Sequence, residues 1–275
     1  MLGRRDDGFH ELESLVAFAG VGDTVEHEPA DALALKVEGP FATALDGANL
    51  ISDAAEAANT VAPGGALGNF RLVKLLPVAG GLGGGSADAA AALRLMARAN
   101  PETLTEAAMA GLAPRLGSDV AVCLRSEPAL ITGRGEIVTV VHGFPACGVV
   151  LANPGVKLST ADVYGALGAP LLPAPPRSLP PPDFGGDFDR LIEYACKRGN
   201  DLEAPAMRLA PEIGSVLAAL GALEGVGLAR MSGSGATCFA LFATPRQALR
   251  AATALAQSEP DWWITASTLG DPKIG

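Results

Sequence analysis

The sequence predicts an α+β fold in two domains, and three observations carry that prediction. A chain of 275 residues is too long for one small core. Between Glu11 and Val37, short β-prone pieces alternate with Gly and Asp turns. Beyond residue 187, helical segments alternate with strands, as when helices cover one face of an antiparallel sheet. The boundary is expected between Gly143 and Ala146, giving domains 1–145 and 146–275.

In the first domain, Leu15 to Phe18, Thr24 to His27 and Leu33 to Val37 read as an antiparallel meander. Asn49 to Ala58 reads as a helix, favoured by Ala54, Ala55, Ala57 and Ala58. Phe70 to Leu76 is an apolar strand carrying Arg71 and Lys74, and it runs into a glycine loop and a helix from Ser86 to Ala99. A second helix, Thr103 to Leu116, leads through Gly117 and Ser118 to Asp119 and an expected strand, Val120 to Leu124. Strands at Ala129 to Thr132 and Ile137 to Val141 close the domain.

Cys147 to Ala152 opens the second domain as a strand. Seven prolines between Pro170 and Pro182 demand an extended surface loop, because proline can neither continue a helix nor donate to a ladder. Helices are then expected at Phe188 to Lys197, Pro211 to Leu220 and Pro245 to Gln257. Strands are expected at Gly227 to Met231, Cys238 to Phe242 and Trp262 to Ala266.

Composition narrows the function. With 49% hydrophobic and 18% charged residues the chain can bury a full core. A formal charge of -10 argues against nucleic acid or an anionic membrane as partner, so an anionic ligand must be met locally by backbone amides and a few placed cations. Cys123, Cys147, Cys196 and Cys238 are scattered without a C-x-x-C pair and only three histidines accompany them, which speaks against a structural metal site. The N-terminal residues lack the apolar stretch of a signal peptide, and no uncharged apolar run reaches about 18 residues, so a cytoplasmic protein is expected.

The segment Pro77 to Ala90 reads PVAGGLGGGSADAA, with Gly80, Gly81, Gly83, Gly84 and Gly85 around Leu82 and ahead of Ser86. So many glycines let the backbone approach a bulky ligand and turn its N–H groups inward. The alanine run behind them starts a strong helix whose first amides and positive dipole end face the same point. The result is an anion cradle. The plainer readings are a flexible linker or a tight helix-packing site, but a linker would not be flanked by an apolar strand and a helix start. Ser86 could cap the helix, but its hydroxyl is also placed to reach a phosphate or Mg2+. Walker A is excluded because Ser86 follows Gly85 with no lysine between, and neither G-x-G-x-x-G nor G-x-S-x-G occurs.

At this loop the chain resembles the GHMP superfamily of small-molecule kinases. Further segments narrow the resemblance: Gly3-Arg4-Arg5-Asp6-Asp7-Gly8-Phe9-His10, Asn153-Pro154-Gly155 with Ser159-Thr160, Asn200-Asp201-Leu202-Glu203, and Ser232-Gly233-Ser234-Gly235-Ala236. Together they are similar to the branch that phosphorylates a cytidine diphosphate derivative of methylerythritol in the non-mevalonate isoprenoid route. The resemblance spans nearly the whole chain. It implies an N-terminal domain like domain 2 of ribosomal protein S5, a ferredoxin-like C-terminal domain, and transfer of the γ-phosphoryl of ATP, with Mg2+, to the 2-hydroxyl of the methylerythritol moiety. The implied partner is a small molecule, with the chain a monomer or homodimer.

The resemblance also implies roles. Asp119, in the Gly117-Ser118-Asp119-Val120 match, becomes the catalytic aspartate, against the plainer reading of a turn aspartate capping its own loop. Phe9, His10 and Tyr164 receive the cytosine, with Thr160 on the substrate side. Asn49 and Lys74 lie near adenine and ribose, and Pro77, Gly80, Gly81, Leu82, Gly83, Gly84, Gly85 and Ser86 surround the phosphates. Lys74 has a plainer reading too, as a solvated strand-end charge. The Ser232 to Ala236 turn is expected to pack beside the phosphate loop. The family pattern begins with a strand reading A-K-x-N-L, whose lysine pairs with the catalytic aspartate, and no residue here matches that lysine. A misplaced start site or a shortened chain is the expectation. The competing readings are another GHMP kinase, acting on homoserine or mevalonate, and a nucleotide-binding protein without turnover.

Overall fold

The computed structural model describes residues 3–45, 47–63, 67–172 and 180–270. In chain order the described elements begin β1 Gly3–Arg4, β2 His10–Val16, β3 Thr24–Glu28, β4 Leu33–Glu38, α1 Leu50–Val61, β5 Gly68–Val73, α2 Gly84–Ala99, α3 Glu106–Leu116 and α4 Val120–Arg125. They continue β6 Ala129–Gly133, β7 Ile137–Val140, β8 Cys147–Asn153, α5 Thr160–Leu167, α6 Phe188–Cys196, α7 Glu203–Leu209, α8 Glu212–Gly221, β9 Leu228–Met231, β10 Cys238–Phe242, α9 Pro245–Ser258 and β11 Trp263–Leu269. Among the described residues, no helix is long and apolar enough to cross a membrane.

The chain forms two compact units, each discontinuous in sequence. One gathers residues from 1–21, 79–82 and 127–275; the other holds 22–78 and 83–126.

The larger unit contains two antiparallel four-stranded sheets, ordered β1-β2-β6-β7 and β11-β8-β10-β9. Strand β8 is buried along its whole length. Its residues alternate between two cores: Val150 and Ala152 join Val163, Ala206, Ile213, Leu220 and Phe242, while Val149 and Leu151 join Leu130, Phe184, Leu191 and Leu241. That period of two is the pleat itself, and the apolar run from Cys147 to Ala152, ahead of the buried Asn153, is what burial on both faces requires. Gly148 fits beneath the start of α9, where an added Cβ would come within 2.4 Å of the Thr244 carbonyl oxygen. Thr244 caps α9 through the Gln247 amide in a capping box, with Pro245 at the first helical position.

The smaller unit packs α1 to α4 with a three-stranded sheet, β3-β5-β4. Strand β5 pairs antiparallel with β3 and parallel with β4. The parallel pairing follows from α1 lying between β4 and β5 in the chain, since a helical crossover returns the second strand in the same direction. The expected meander is therefore corrected: β2, β3 and β4 do not pair with one another, and β2 belongs to the other unit. Helix α1 buries Ile51, Ala54, Ala55 and Ala58, an i, i+3, i+4, i+7 stripe, and α2 buries Ala89, Ala90, Leu93 and Met96.

A second correction concerns Val120 to Leu124, expected as a strand and found as the helix α4. A short apolar run without alternation is equally suited to a buried helical turn, and Val120, Val122 and Cys123 are buried there. Helices α5 and α7 were not expected at all. The prolines Pro173, Pro175 and Pro176 of the expected surface loop lie outside the described residues, as do Met1 and Leu2.

Phe242 is fully buried at the centre of the first core. Its replacement by alanine should cost about 3–5 kcal/mol, read as a lowered urea midpoint with unchanged denaturant slope.

Candidate active site

The residues singled out by sequence fall into two groups, one in each unit. In the smaller unit, α2 begins at Gly84, with Gly83 as its N-cap in the left-handed region at φ 67°. Glycine has no side chain to satisfy the first-turn amides, and no side chain caps this helix. By contrast Asn49, Thr105, Ser159, Asp187 and Thr244 each cap their helices. The donors of Gly84, Gly85 and Ser86 thus lack intrahelical acceptors and form the positive end of the helix dipole. Ser86 is the third residue of the helix rather than its cap, and its hydroxyl lies 3.8 Å from the position of a Cβ at Gly117.

Asp119 stands before α4 and makes no capping bond to that helix, so it does not serve as a turn aspartate closing its own loop. Its carboxylate oxygen lies 3.9 Å from the point a Cβ would occupy at Gly83. The residue is open to solvent on one side, while the protein around the carboxylate raises its pKa by desolvation.

Lys74 is not a solvated strand-end charge. Its Nζ donates to Asp23 Oδ2 at 2.5 Å and to Asp88 Oδ2 at 2.8 Å, and the side chains of Asp23, Lys74 and Asp88 are 1%, 4% and 7% exposed. Burial alone would lower the Lys74 pKa; the two carboxylates outweigh it and raise the value. Burial pushes the Asp88 carboxyl up to about 6, against the opposing pull of Lys74. Asp23 Oδ1 also accepts from the backbone amides of Leu75 and Leu76, at 2.6 and 2.9 Å. Asn49 uses its side-chain oxygen to cap α1 through the Ile51 amide at 2.9 Å.

In the larger unit the glycine loop continues through Gly80, Gly81 and Leu82. The Ser232–Thr237 turn grips it: Thr237 N donates to Gly80 O at 3.0 Å, and Ser232 Oγ donates to Gly81 O at 2.8 Å. At Gly81, with φ 76°, a Cβ would come within 2.4 Å of the Ser232 carbonyl oxygen, so only glycine fits. Leu82 packs its side chain on the second core.

Motifs far apart in sequence converge on the same turn. Asn153 Nδ2 donates to Thr237 Oγ1 at 2.8 Å, and the Thr160 and Ser234 hydroxyls lie 2.8 Å apart. Asn200 Nδ2 donates to the carbonyls of Met231 and Gly233, and Glu203 Oε2 accepts from Met231 N. Sequence reasoning quoted these motifs but gave Asn153, Asn200 and Glu203 no task. An asparagine closing the apolar run Cys147 to Ala152 was the available signal for Asn153.

Also in the larger unit, the Arg5–Phe9 turn delivers Phe9, which is 52% exposed, ahead of His10, the first residue of β2. The His10 ring lies 4.9 Å from that of Tyr164, and the Arg134 guanidinium sits 4.8 Å above the Phe9 ring. Burial, then the neighbouring Arg4 charge, lowers the His10 pKa, favouring the neutral imidazole.

Comparison with known proteins gives the family. Residues 49–127 match the GHMP kinases N terminal domain, and residues 182–261 match the GHMP kinases C terminal family. A solved homoserine kinase from Cytophaga hutchinsonii superposes with a TM-score of 0.60 at 16% identity, over 90% of this chain and 85% of its own, a likeness of fold alone. Fold and family matches together define a two-domain GHMP kinase, an ATP-dependent enzyme acting on an alcohol. The 4-diphosphocytidyl-2-C-methyl-D-erythritol kinase of Parvibaculum lavamentivorans is 45% identical over 98% of this chain and 93% of its own length. That of Cereibacter sphaeroides is 48% identical over 95% and 91%. A crystal structure of 4-(cytidine 5'-diphospho)-2C-methyl-D-erythritol kinase superposes with a TM-score of 0.74 at 34% identity, covering 98% of this chain and 96% of that one. The chain belongs to the family of 4-diphosphocytidyl-2-C-methyl-D-erythritol kinases.

The pKa of Asp88 has a consequence for stability. Its folded value, about 6, lies above the ordinary 3.8, so the folded state holds the proton more tightly than the unfolded one. The contribution is present at acid pH and is lost as pH rises through about 6. Between pH 4 and 7, wild type should lose unfolding free energy relative to Asp88→Asn, measured by urea denaturation across that range; parallel profiles would contradict the assignment.

Proposed function

We infer that this chain transfers the γ-phosphoryl group of ATP to the 2-hydroxyl of 4-diphosphocytidyl-2-C-methyl-D-erythritol, a step of isoprenoid biosynthesis. The observation that carries the reading is the Asp119 carboxylate beside a helix start whose N-cap, Gly83, has no side chain. Backbone donors of Gly84 to Ser86 suit phosphate oxygens, and a carboxylate at that point suits the incoming hydroxyl. Asp119 takes the hydroxyl proton as the oxygen attacks the γ-phosphorus and the bond from that phosphorus to the β,γ-bridging oxygen breaks, releasing ADP; the raised pKa brings its basicity nearer the working pH. Ser86 would offer its hydroxyl oxygen to a Mg2+ ion bound with the nucleotide, which would neutralise phosphate charge and which needs few protein oxygens.

Phe9, His10 and Tyr164 are assigned to the cytosine. An exposed ring with a guanidinium over one face offers the other to a stacked base, and a neutral imidazole presents both a donor and an acceptor to a pyrimidine edge. Thr160, bonded to Ser234, belongs to the substrate side. Asn49, Lys74 and Pro77 in the smaller unit, and Gly80 to Leu82 in the larger, are each assigned to ATP, Lys74 through the loop it anchors. The division at residues 145 and 146 is retained as the functional boundary, since the matched segments 49–127 and 182–261 lie on either side of it. The proposal includes a cytoplasmic reaction, with the chain acting as a monomer or homodimer.

The test is direct: incubate the protein with ATP and the cytidine diphosphate alcohol and follow ADP and the new phosphomonoester by 31P NMR. Phosphorylation of homoserine or mevalonate instead would overturn the assignment. Asp119→Asn should lower kcat by about 10²- to 10⁴-fold while leaving ATP affinity within a small factor. His10→Ala should raise KM for the cytidine substrate roughly tenfold and leave KM for ATP unchanged, as steady-state kinetics will show.

A further inference from the structure

We propose that Asp23, Lys74 and Asp88 form a buried clasp across the base of the glycine loop, and that Asp23 and Asp88 are positioning residues for ATP. The inference rests on the kinase reading above and assigns residues to which that reading gives no task.

The chain leaves β5 at Val73, runs through Lys74, Leu75 and Leu76 into Pro77, and re-enters the smaller unit at Gly83 to start α2. Asp88 lies in the second turn of that helix and Lys74 at the end of that strand, so the 2.8 Å bond between them closes the loop at its base. Asp23 fixes the upstream arm at three successive residues, accepting from the Lys74 ammonium and the amides of Leu75 and Leu76. The Lys74 backbone is held as well: its amide donates to Glu38 O at 2.7 Å and its carbonyl accepts from Phe41 N at 3.3 Å. The clasp reaches the helix start, for a Cβ at Gly84 would lie 3.4 Å from both Asp23 Oδ2 and Lys74 Nζ.

Burying two carboxylates and an ammonium is expensive, and a pair of apolar side chains would stabilise the fold at least as well. What an ion triad adds is a single geometry, because charge-assisted bonds of 2.5 to 2.8 Å permit one arrangement of strand end against helix start. The site needs that arrangement, since amides displaced by about 1 Å from the transferring phosphoryl group can cost on the order of 10²-fold in rate. The ammonium is already engaged by two carboxylates inside the protein, so Lys74 serves the nucleotide through the loop it anchors.

The test compares full-length Asp23→Asn, Asp88→Asn, Lys74→Met and the Lys74→Met/Asp88→Asn double variant with wild type. Circular dichroism first checks that each is folded at the assay temperature, and Lys74→Arg, which retains the pairing, serves should the methionine variant fail to fold. Each folded single variant should raise the Kd and KM for ATP on the order of tenfold, with the Kd for the cytidine substrate unchanged. The double variant should be no worse than Lys74→Met, as expected of a unit acting together. Lys74→Arg should recover most of the ATP affinity. Unchanged ATP affinity in Asp23→Asn and Asp88→Asn, additive losses, or equal weakening of both substrates would each overturn the clasp. Wild type failing to bind ATP at all would instead overturn the kinase reading on which it rests.

Discussion

A loop made of glycine cannot hold its own shape. It presents backbone amides closely because it lacks side chains, and for the same reason it has nothing of its own to pack. Its conformation must be imposed by neighbours, and conformational entropy opposes them at every residue. Much of the polar chemistry in this chain answers that constraint. In the larger unit, Ser232 and Thr237 bond the carbonyls of Gly80 and Gly81, and Leu82 sinks its side chain into a core. In the smaller unit, an ion triad fixes strand end to helix start.

The second layer of support explains why the sequence motifs are so dispersed. Asn153, Thr160, Asn200 and Glu203 stand on or beside β8, α5 and α7, yet all bond to the segment from Met231 to Thr237. Asn153 is buried and Asn200 and Glu203 are half-buried, so each loses hydration that its bond must replace, which ties it to its partner. The shape of the turn that holds Gly80 and Gly81 thus depends on residues from three other parts of the chain.

What could be read from sequence divides along physical lines. The glycine loop and α2 were legible because composition and local propensity act within one stretch of chain; the α1 segment was legible from its alanines, while Asn49, read as part of that helix, is its cap. Strand pairing was not, since β4 beside β5 in parallel and β2 in another sheet depend on long-range closure that no local signal records. Val120 to Leu124 was misread because an apolar run of that length satisfies either geometry. The triad was hidden for another reason: Asp23, Lys74 and Asp88 are isolated charges 51 and 14 residues apart, and an isolated charge usually marks a solvated surface.

Strand β8 carries one more consequence. Both of its faces are apolar, so sliding it by one residue against β10 or β11 would exchange the two faces without exposing either to water, and the hydrophobic effect does little to forbid the error. Steric fit must forbid it instead. Gly148 lies under Thr244 where even a methyl group would collide, so a slipped strand would drive valine or a cysteine into backbone atoms. One missing side chain thereby acts as an alignment notch for the central sheet.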